Sequence, residues 1–489
     1  MKLRHIVFIA LIIASTSFAY ERGTVGRYMV EAMTANSSKQ TPFWMLNNRY
    51  GLSSLDRNNG YLRAAAFHDV DTTRRFSWGA GVDLVVPYNF TSKFVVQQLY
   101  GELKYRSLLL TIGSKQRYMG VVNQELGSGD MVFSNNARPI PQIYIAMPEY
   151  QWIPKMNKWL AFKGFFSFGI FTDGGWQYRN FDGKSSRTNK VLYHTKGIFL
   201  RGGNRDRFPL TVEGGFEMGT QFGGKAFKLI KGKYHEIDMH HSFKDIINAI
   251  FGLSGGDSND PLQSGEIANA YGNHVGEWSL ALSWAPKDKD WAARVYYQHY
   301  FEDHSQLFWD YLWRDMLLGA ELTLPKNPFV DKIVYEYLYT KDQSGPVYWD
   351  RTPEIPIQIS GTDNYYNHYI YGGWQHWGMG LGNPLLISPI YNDGKIFLHN
   401  RIIAHHAGIS GNPTDQLSYR ILLSHTRSWG TYGNPTPKVM HNLSSMLEVS
   451  YSPKFLPGWS FKATVAGDHG DIIRNTFGGM FTITKTGLL

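Results

Sequence analysis

The chain of 489 residues contains no cysteine. A thiolate nucleophile, an iron–sulfur cluster and a thiolate zinc site are therefore excluded, and no disulfide staples the fold. Beyond the first twenty residues no apolar run approaches the ~18 residues of a spanning helix, so a helical membrane protein is excluded as well. Basic runs with interleaved aromatics are also missing, and the formal charge of +9 is a small excess, so no nucleic-acid partner is expected. No Pro/Ser-rich linker or break in composition divides the chain. That argues for one domain where roughly 470 residues would otherwise suggest two or three.

What is present begins with a targeting segment. Lys2, Arg4 and His5 form a basic n-region, and Ile6 to Ala14 form an apolar h-region. Ser17-Phe18-Ala19 then places small residues before a cleavage site, so residues 1–19 read as a secretory signal peptide and Tyr20 as the start of the mature chain. An uncleaved anchor is the alternative, but the apolar stretch is about half the length that spans a bilayer. Removing Lys2 and Arg4 lowers the formal charge from +9 to +7.

The remaining chain, 20–489, is rich in aromatics (15%) and glycine (50 residues), and its dominant period is two. Trp459-Ser-Phe-Lys-Ala-Thr-Val-Ala-Gly-Asp468 and Trp278-Ser-Leu-Ala-Leu-Ser-Trp284 each put apolar and polar or small residues on opposite faces. A soluble β-sandwich alternates too, so the connections decide. Eight are short: 71–75, 105–107, 153–158, 203–208, 285–290, 325–331, 409–415 and 452–457. Nine, mostly longer, interleave with them: 36–60, 87–93, 118–141, 172–190, 223–273, 302–313, 343–393, 428–440 and 469–474. Tight turns on one side and long loops on the other are the asymmetry of an outer-membrane barrel. The pattern predicts an all-β fold, a transmembrane antiparallel β-barrel of about eighteen strands from about Tyr28 to about Thr486. Trp152 and Trp159, Trp284 and Trp291, and Tyr451 and Trp459 flank short turns, as a periplasmic aromatic girdle requires.

One short helix is predicted inside a long loop, over 242–252. Ser242 and Asp245 supply its cap, Phe243, Ile246, Ile247, Ile250 and Phe251 its apolar face, and Gly252 its stop. It is expected to fold into the barrel mouth, with packing beneath neighbouring loops as the alternative.

Candidate chemistry is sparse. His235-Glu236-Ile-Asp238-Met-His240-His241 carries metal-type side chains, but the spacing matches no zinc motif and reads as a solvated loop. Adjacent His405 and His406 lie mid-strand, where a lumen-facing polar role is expected. Asp468-His469-Gly-Asp471 sits at a barrel rim but is joined by no recognisable nucleophile, so no catalytic residue, cofactor or metal site is assigned. Loops 302–313 and 343–393 are more informative. They hold Trp309, Trp313, Trp349, Trp374 and Trp377 with Asp310, Arg351 and Gln375, beside Tyr348, Tyr365, Tyr366 and Tyr369. Rings that stack on the C–H face of a sugar, mixed with groups that bond its hydroxyls, suit a glycan; the alternative is loop-to-loop packing.

Several segments resemble the Wzi capsule-assembly family of outer-membrane barrels, in its Bacteroidetes-like form. They are Thr41-Pro-Phe-Trp-Met-Leu-Asn-Asn-Arg-Tyr-Gly51, Gln98-Leu-Tyr-Gly-Glu-Leu-Lys-Tyr105, Gly113-Ser-Lys-Gln-Arg117 and Ser134-Asn-Asn-Ala-Arg-Pro-Ile-Pro141. Gly382-Asn-Pro-Leu-Leu-Ile-Ser-Pro389, Asn400-Arg-Ile-Ile-Ala-His-His-Ala-Gly408 and Trp429-Gly-Thr-Tyr432 extend it over most of the mature chain. The resemblance implies an eighteen-stranded surface lectin, closed by loops, that binds capsular or other exported polysaccharide and assists capsule attachment without turnover. The best-known members carry a helical bundle before the barrel, for which the expected mature chain leaves only about eight residues. Expected partners are that polysaccharide, outer-membrane lipid and lipopolysaccharide, in the outer membrane of a Gram-negative cell, with a monomer as the working expectation. A porin or glycan-uptake channel is the runner-up, since a basic polar lumen would attract anionic solutes, and a barrel hydrolase comes third.

Overall fold

A computed structural model describes residues 26–183, 185–239, 242–253, 271–287, 289–302, 314–343, 363–392 and 396–489. The expected signal peptide, His240, His241, loop 303–313 and residues 344–362 lie outside them.

Eighteen strands form one antiparallel sheet closed on itself. They start with β1 (Gly26–Gln40), β2 (Asp56–His68), β3 (Phe76–Tyr88), β4 (Val95–Tyr105), β5 (Leu108–Ser114) and β6 (Gln142–Trp152). Next come β7 (Leu160–Ile170), β8 (Leu192–Gly202), β9 (Leu210–Phe222), β10 (Asn273–Trp284), β11 (Ala292–Glu302) and β12 (Met316–Thr323). The last six are β13 (Lys332–Tyr339), β14 (Ile402–Thr414), β15 (Leu417–Gly430), β16 (Pro435–Tyr451), β17 (Trp459–Gly470) and β18 (Thr476–Leu488). Each strand pairs with the next, and β1 pairs with β18 from Arg27↔Leu488 to Ser37↔Gly478, which leaves no open edge.

Register puts the polar set inside. Along β17, Thr464, Ala466 and Asp468 are buried while Ala463 and Val465 are exposed. Asp83, Glu102, Glu217, Glu277, Gln298, Glu336, His406 and Glu448 are likewise buried in the lumen. The outer face carries exposed Leu84, Leu99, Ile143, Ile198, Leu280, Leu443 and Phe481, an apolar belt for lipid chains. Trp152, Trp159, Trp284 and Trp459 are exposed beside the short turns, where the girdle was expected.

The short and long connections alternate in the predicted order, but several bounds move: the expected loop 36–60 contracts to 41–55, and the strands around 343–393 end at Tyr339 and resume at Ile402. Residues 409–414 remain in β14, and the turn contracts to 415–416. Asn412-Pro413 is absorbed as a register shift between Gly411 and Thr414, a place where a missing proline N–H costs no ladder bond. On the loop side β15 and β16 reach further than predicted, and only 431–434 separate them.

The lumen is packed. Three inner loops descend into it: 41–55 with helix α1 (Phe43–Leu46), 115–141, and the described parts of 340–401. All four α1 side chains are at most 2% exposed, and Trp44 Nε1 donates to Ser424 Oγ at 3.2 Å. Helix α2 (Gly174–Phe181) lies in the loop after β7. Helix α3 (Phe243–Phe251) has the predicted capping box and a left-handed Gly252, φ 66°. Its expected role in filling the mouth is corrected: α3 rests on the loop end of β9, where Thr220 Oγ1 donates to Ala249 O at 3.4 Å, and Phe243 and Phe251 are exposed. The plug is built by the other loops.

Within the predicted solvated loop 235–241, residues 235–239 form part of a strand whose His235, Glu236 and Asp238 side chains are solvent-exposed, as expected. Lys233–Met239 pairs with Gly224–Ile230, which pairs with Arg187–Asn189 in a small outer sheet. Exposed Glu236 meets Lys225 at 2.5 Å, and His235 and Asp238 point to solvent.

Candidate functional site

The inner loops are joined to one another by hydrogen bonds to backbone carbonyls that sequence patterning does not reveal. Ser134 N donates to Leu381 O at 2.8 Å, Asn136 Nδ2 to Gly380 O at 2.9 Å, and Asn383 Nδ2 to Gly129 O at 2.6 Å. Lumen side chains of the wall hold the same loops. Glu336 of β13 accepts from Ser128 N at 2.7 Å, Glu302 of β11 from Tyr366 N at 2.6 Å, and Asp468 of β17 from Phe43 N at 2.8 Å. His406 bridges Ser424 Oγ and Leu126 O, each at 2.7 Å, while neighbouring His405 faces outward against Tyr335. Asp468, His469 and Asp471 do not assemble. Asp468 holds α1, and Asp471 pairs with Lys438 at 3.3 Å.

The sequence-predicted glycan residues separate by environment. Trp309, Trp313, Trp349, Asp310 and Arg351 lie outside the described residues. Trp374 is fully buried; its Nε1 donates to Val132 O at 2.9 Å, and its ring meets Phe133 and Tyr193 at 6.2 and 5.8 Å. Gln375 is buried too, donating to Asp173 Oδ2 at 3.0 Å and accepting from Gly378 N at 2.7 Å. Both therefore hold the plug together, which is the loop-packing alternative for these two positions.

Trp377 differs. It is only partly buried, and its φ of 57° is unusual for a bulky residue. The turn is held by flanking Gly378 at φ 84°, by the Gln375 bond, and by Trp377 Nε1 donating to Thr172 Oγ1 at 3.4 Å. The Arg138 guanidinium lies 4.8 Å from the Trp377 ring centroid and donates to Ser92 Oγ at 2.8 Å and Thr91 Oγ1 at 3.0 Å. Burial alone pushes the Arg138 pKa down to about 10, which leaves it charged at neutral pH. Next to it, His376 is held neutral by burial.

Arg138 also borders a cavity of about 90 Å³ that descends from the loop end of the barrel. Its wall includes Lys115, Gln116 and Arg117 just after β5, and Ser134, Ala137, Arg138, Pro139 and Ile140 just before β6. Two short segments singled out in the sequence for their family resemblance thus face one another across one cavity. Tyr50, Tyr118, Phe133, Tyr144, Phe165 and Tyr193 complete its aromatic lining. Arg117 stacks 4.0 Å from the Tyr144 centroid, and neither of its Nη atoms has a hydrogen-bond partner. Burial lowers its pKa below the usual arginine value. An aromatic wall with an unbonded guanidinium can stack on an apolar ring face and donate to hydroxyl or oxyanion groups. Among the described residues, one group has the donor set for a metal ion: Asp130, Glu217 and Glu277, which adjoin the cavity through Glu217.

No protein-family model matches the sequence, and no curated protein sequence matches it. The fold is similar to solved outer-membrane barrels. One is Wzi, an outer-membrane protein involved in group 1 capsule assembly in Escherichia coli and a carbohydrate-binding β-barrel. The match has TM-score 0.57 and 13% identity, covering 93% of this chain and 83% of that one. Acinetobacter baumannii OccAB2 matches with TM-score 0.49 and 8% identity over 97% of this chain and 100% of its own. Pseudomonas aeruginosa OpdL matches with TM-score 0.48 and 10% identity over 96% and 100%. At such identities the likeness is one of fold. The closed eighteen-stranded architecture with its apolar belt makes this chain an outer-membrane β-barrel.

Proposed function

We propose that this chain, exported by its 1–19 leader, is a non-catalytic barrel that binds capsular or other exported polysaccharide at the cell surface and assists capsule attachment. The observation that carries the reading is the cavity at the loop end, with Arg117 unbonded over Tyr144, and Arg138 and Trp377 stacked beside it. Similarity in fold to a carbohydrate-binding barrel supports it. The lumen filled by 41–55, 115–141 and 363–392 disfavours the porin alternative, because a channel needs a continuous aqueous path. Trp309, Trp313, Trp349, Asp310 and Arg351 remain in the proposal as outer-loop contacts that extend the surface beyond the cavity.

Each contact is weak. A hydrogen bond to a charged group contributes about 1.5–3 kcal/mol, and a ring stacked on a sugar less. A long polymer engaging many barrels supplies the rest through avidity. Arg117→Ala combined with Trp377→Ala is expected to lower affinity of the purified barrel for polysaccharide extracted from its own cells at least tenfold. Retention on whole cells should fall further, while a heat-modifiable barrel persists. Unchanged binding by the double variant would refute the assignment of this surface. A large steady single-channel conductance in the wild type would refute the reading in favour of a porin.

A further inference from the structure

The acidic group beside the cavity draws on three distant parts of the chain. Asp130 comes from the inner loop after β5, Glu217 from β9 and Glu277 from β10. Glu217 and Glu277 are direct cross-strand partners, so register alone sets two carboxylates side by side on the lumen face. Like charges in that position repel, and burial removes the water that would screen them. All three residues are at most 2% exposed, and one oxygen from each lies within 4.8 Å of the others.

The surrounding donors are too few. Asp130 is well bonded, Oδ1 accepting from Val132 N at 2.9 Å and Phe133 N at 3.0 Å and Oδ2 from Gln298 Nε2 at 2.7 Å and the Tyr118 hydroxyl at 3.0 Å. Glu277, however, receives only Gln298 Nε2, at 2.5 Å on Oε1. Glu217 Oε2 and Glu277 Oε2 have no hydrogen-bond partner. The nearby cations do not bond the carboxylates: Lys163 Nζ donates to Met119 O at 2.5 Å, and neither Nη of Arg117, stacked over Tyr144, reaches an acceptor. Glu217 is thus a buried carboxylate oriented into the site with an oxygen left over, an arrangement that asks for a positive ligand.

We propose that Asp130, Glu217 and Glu277 bind one calcium-like divalent cation. Every donor is a hard oxygen, which suits calcium and magnesium and disfavours zinc or copper. Three buried carboxylates in one place suit calcium, which takes many protein oxygens, better than magnesium, which keeps several waters and is usually held by one or two carboxylates. Calcium takes six to eight ligands, and the cavity that Glu217 lines is large enough to hold water that completes the set. Bound there, the ion ties the inner loop at Asp130 to two neighbouring wall strands, and so fixes the plug segment that carries 134–141. This role is independent of what the cavity binds.

The full-length barrel, in detergent free of lipopolysaccharide and stripped with EDTA, is titrated with calcium chloride by calorimetry, and bound metal is counted by mass spectrometry. One calcium per chain is expected, with a heat-modification midpoint that rises with calcium and not with equal magnesium. Glu217→Gln with Glu277→Gln should bind none and lose the calcium response. Asp130→Asn, altered in the loop rather than the wall, should weaken calcium at least tenfold and serves if the strand variant fails to assemble. Calcium well below one per chain in the wild type would overturn the proposal and leave protons shared among the carboxylates. Equal binding by wild type and Asp130→Asn would overturn it also.

Discussion

Replacing Trp374 by alanine separates two meanings of the same ring. If Trp374 is a packing residue of the plug, its removal leaves a void between Phe133, Tyr193 and Gly219, where even a methyl on Gly219 would overlap the indole. Truncating a buried tryptophan typically costs about 3–5 kcal/mol. Loss of the Nε1–Val132 bond also leaves a buried carbonyl unbonded, at a cost of about 1–3 kcal/mol. The closed strand ladder does not depend on this ring, so the penalty falls on docking of the inner loops. Relaxation recovers part of it. A remaining 3–4 kcal/mol still shifts the docked–undocked equilibrium by roughly two to three decades, at about 1.4 kcal/mol per decade. Planar-bilayer recordings should show openings rare in the wild type, and protease should reach residues 115–141 faster, while strand content and heat-modifiability persist. Trp374→Phe, which keeps most of the volume, should be intermediate. The reasoning is refuted if Trp374→Ala leaves conductance and protease resistance unchanged while polysaccharide retention is lost, because the ring would then act on ligand.

Two further outcomes test the orientation and the absence of turnover. Epitope tags within 223–273 or 343–393 should be labelled on intact cells and a tag within 285–290 should not; labelling of the latter alone would invert the barrel. Asp468→Ala should destabilise the α1 plug by about 1.5–3 kcal/mol, the value of a hydrogen bond to a charged acceptor, seen as a lower melting midpoint. His469→Ala and Asp471→Ala should stay within about 0.5 kcal/mol of the wild type, and a loss of polysaccharide processing without loss of binding in any of the three would reveal a missed active site.

The barrel was legible because its determinants are local. Side-chain alternation along a strand, aromatic pairs at strand ends and the alternation of short and long connections are all one-dimensional properties, and lipid on one side enforces them over every strand. The capped helix 243–251 was legible for the same reason, since Ser242, Asp245 and Gly252 act within one turn. Its placement was not, because a hydrophobic face states that burial is needed and not where. The plug was decided by tertiary structure alone. Thr41–Gly51 and Ser134–Pro141 show no period to read. These inner loops enter the lumen where side chains on distant strands bond their backbone: Glu336 accepts from Ser128 N, Asp468 accepts from Phe43 N, and His406 donates to Leu126 O. Trp374 and Trp377 illustrate the limit: three residues apart, both aromatic and both plausible sugar platforms, they part because one left-handed turn sends the first into the core and leaves the second partly exposed. The acidic cluster is further still from sequence, since Asp130, Glu217 and Glu277 share no motif and meet only when β9 pairs with β10 beneath a folded loop.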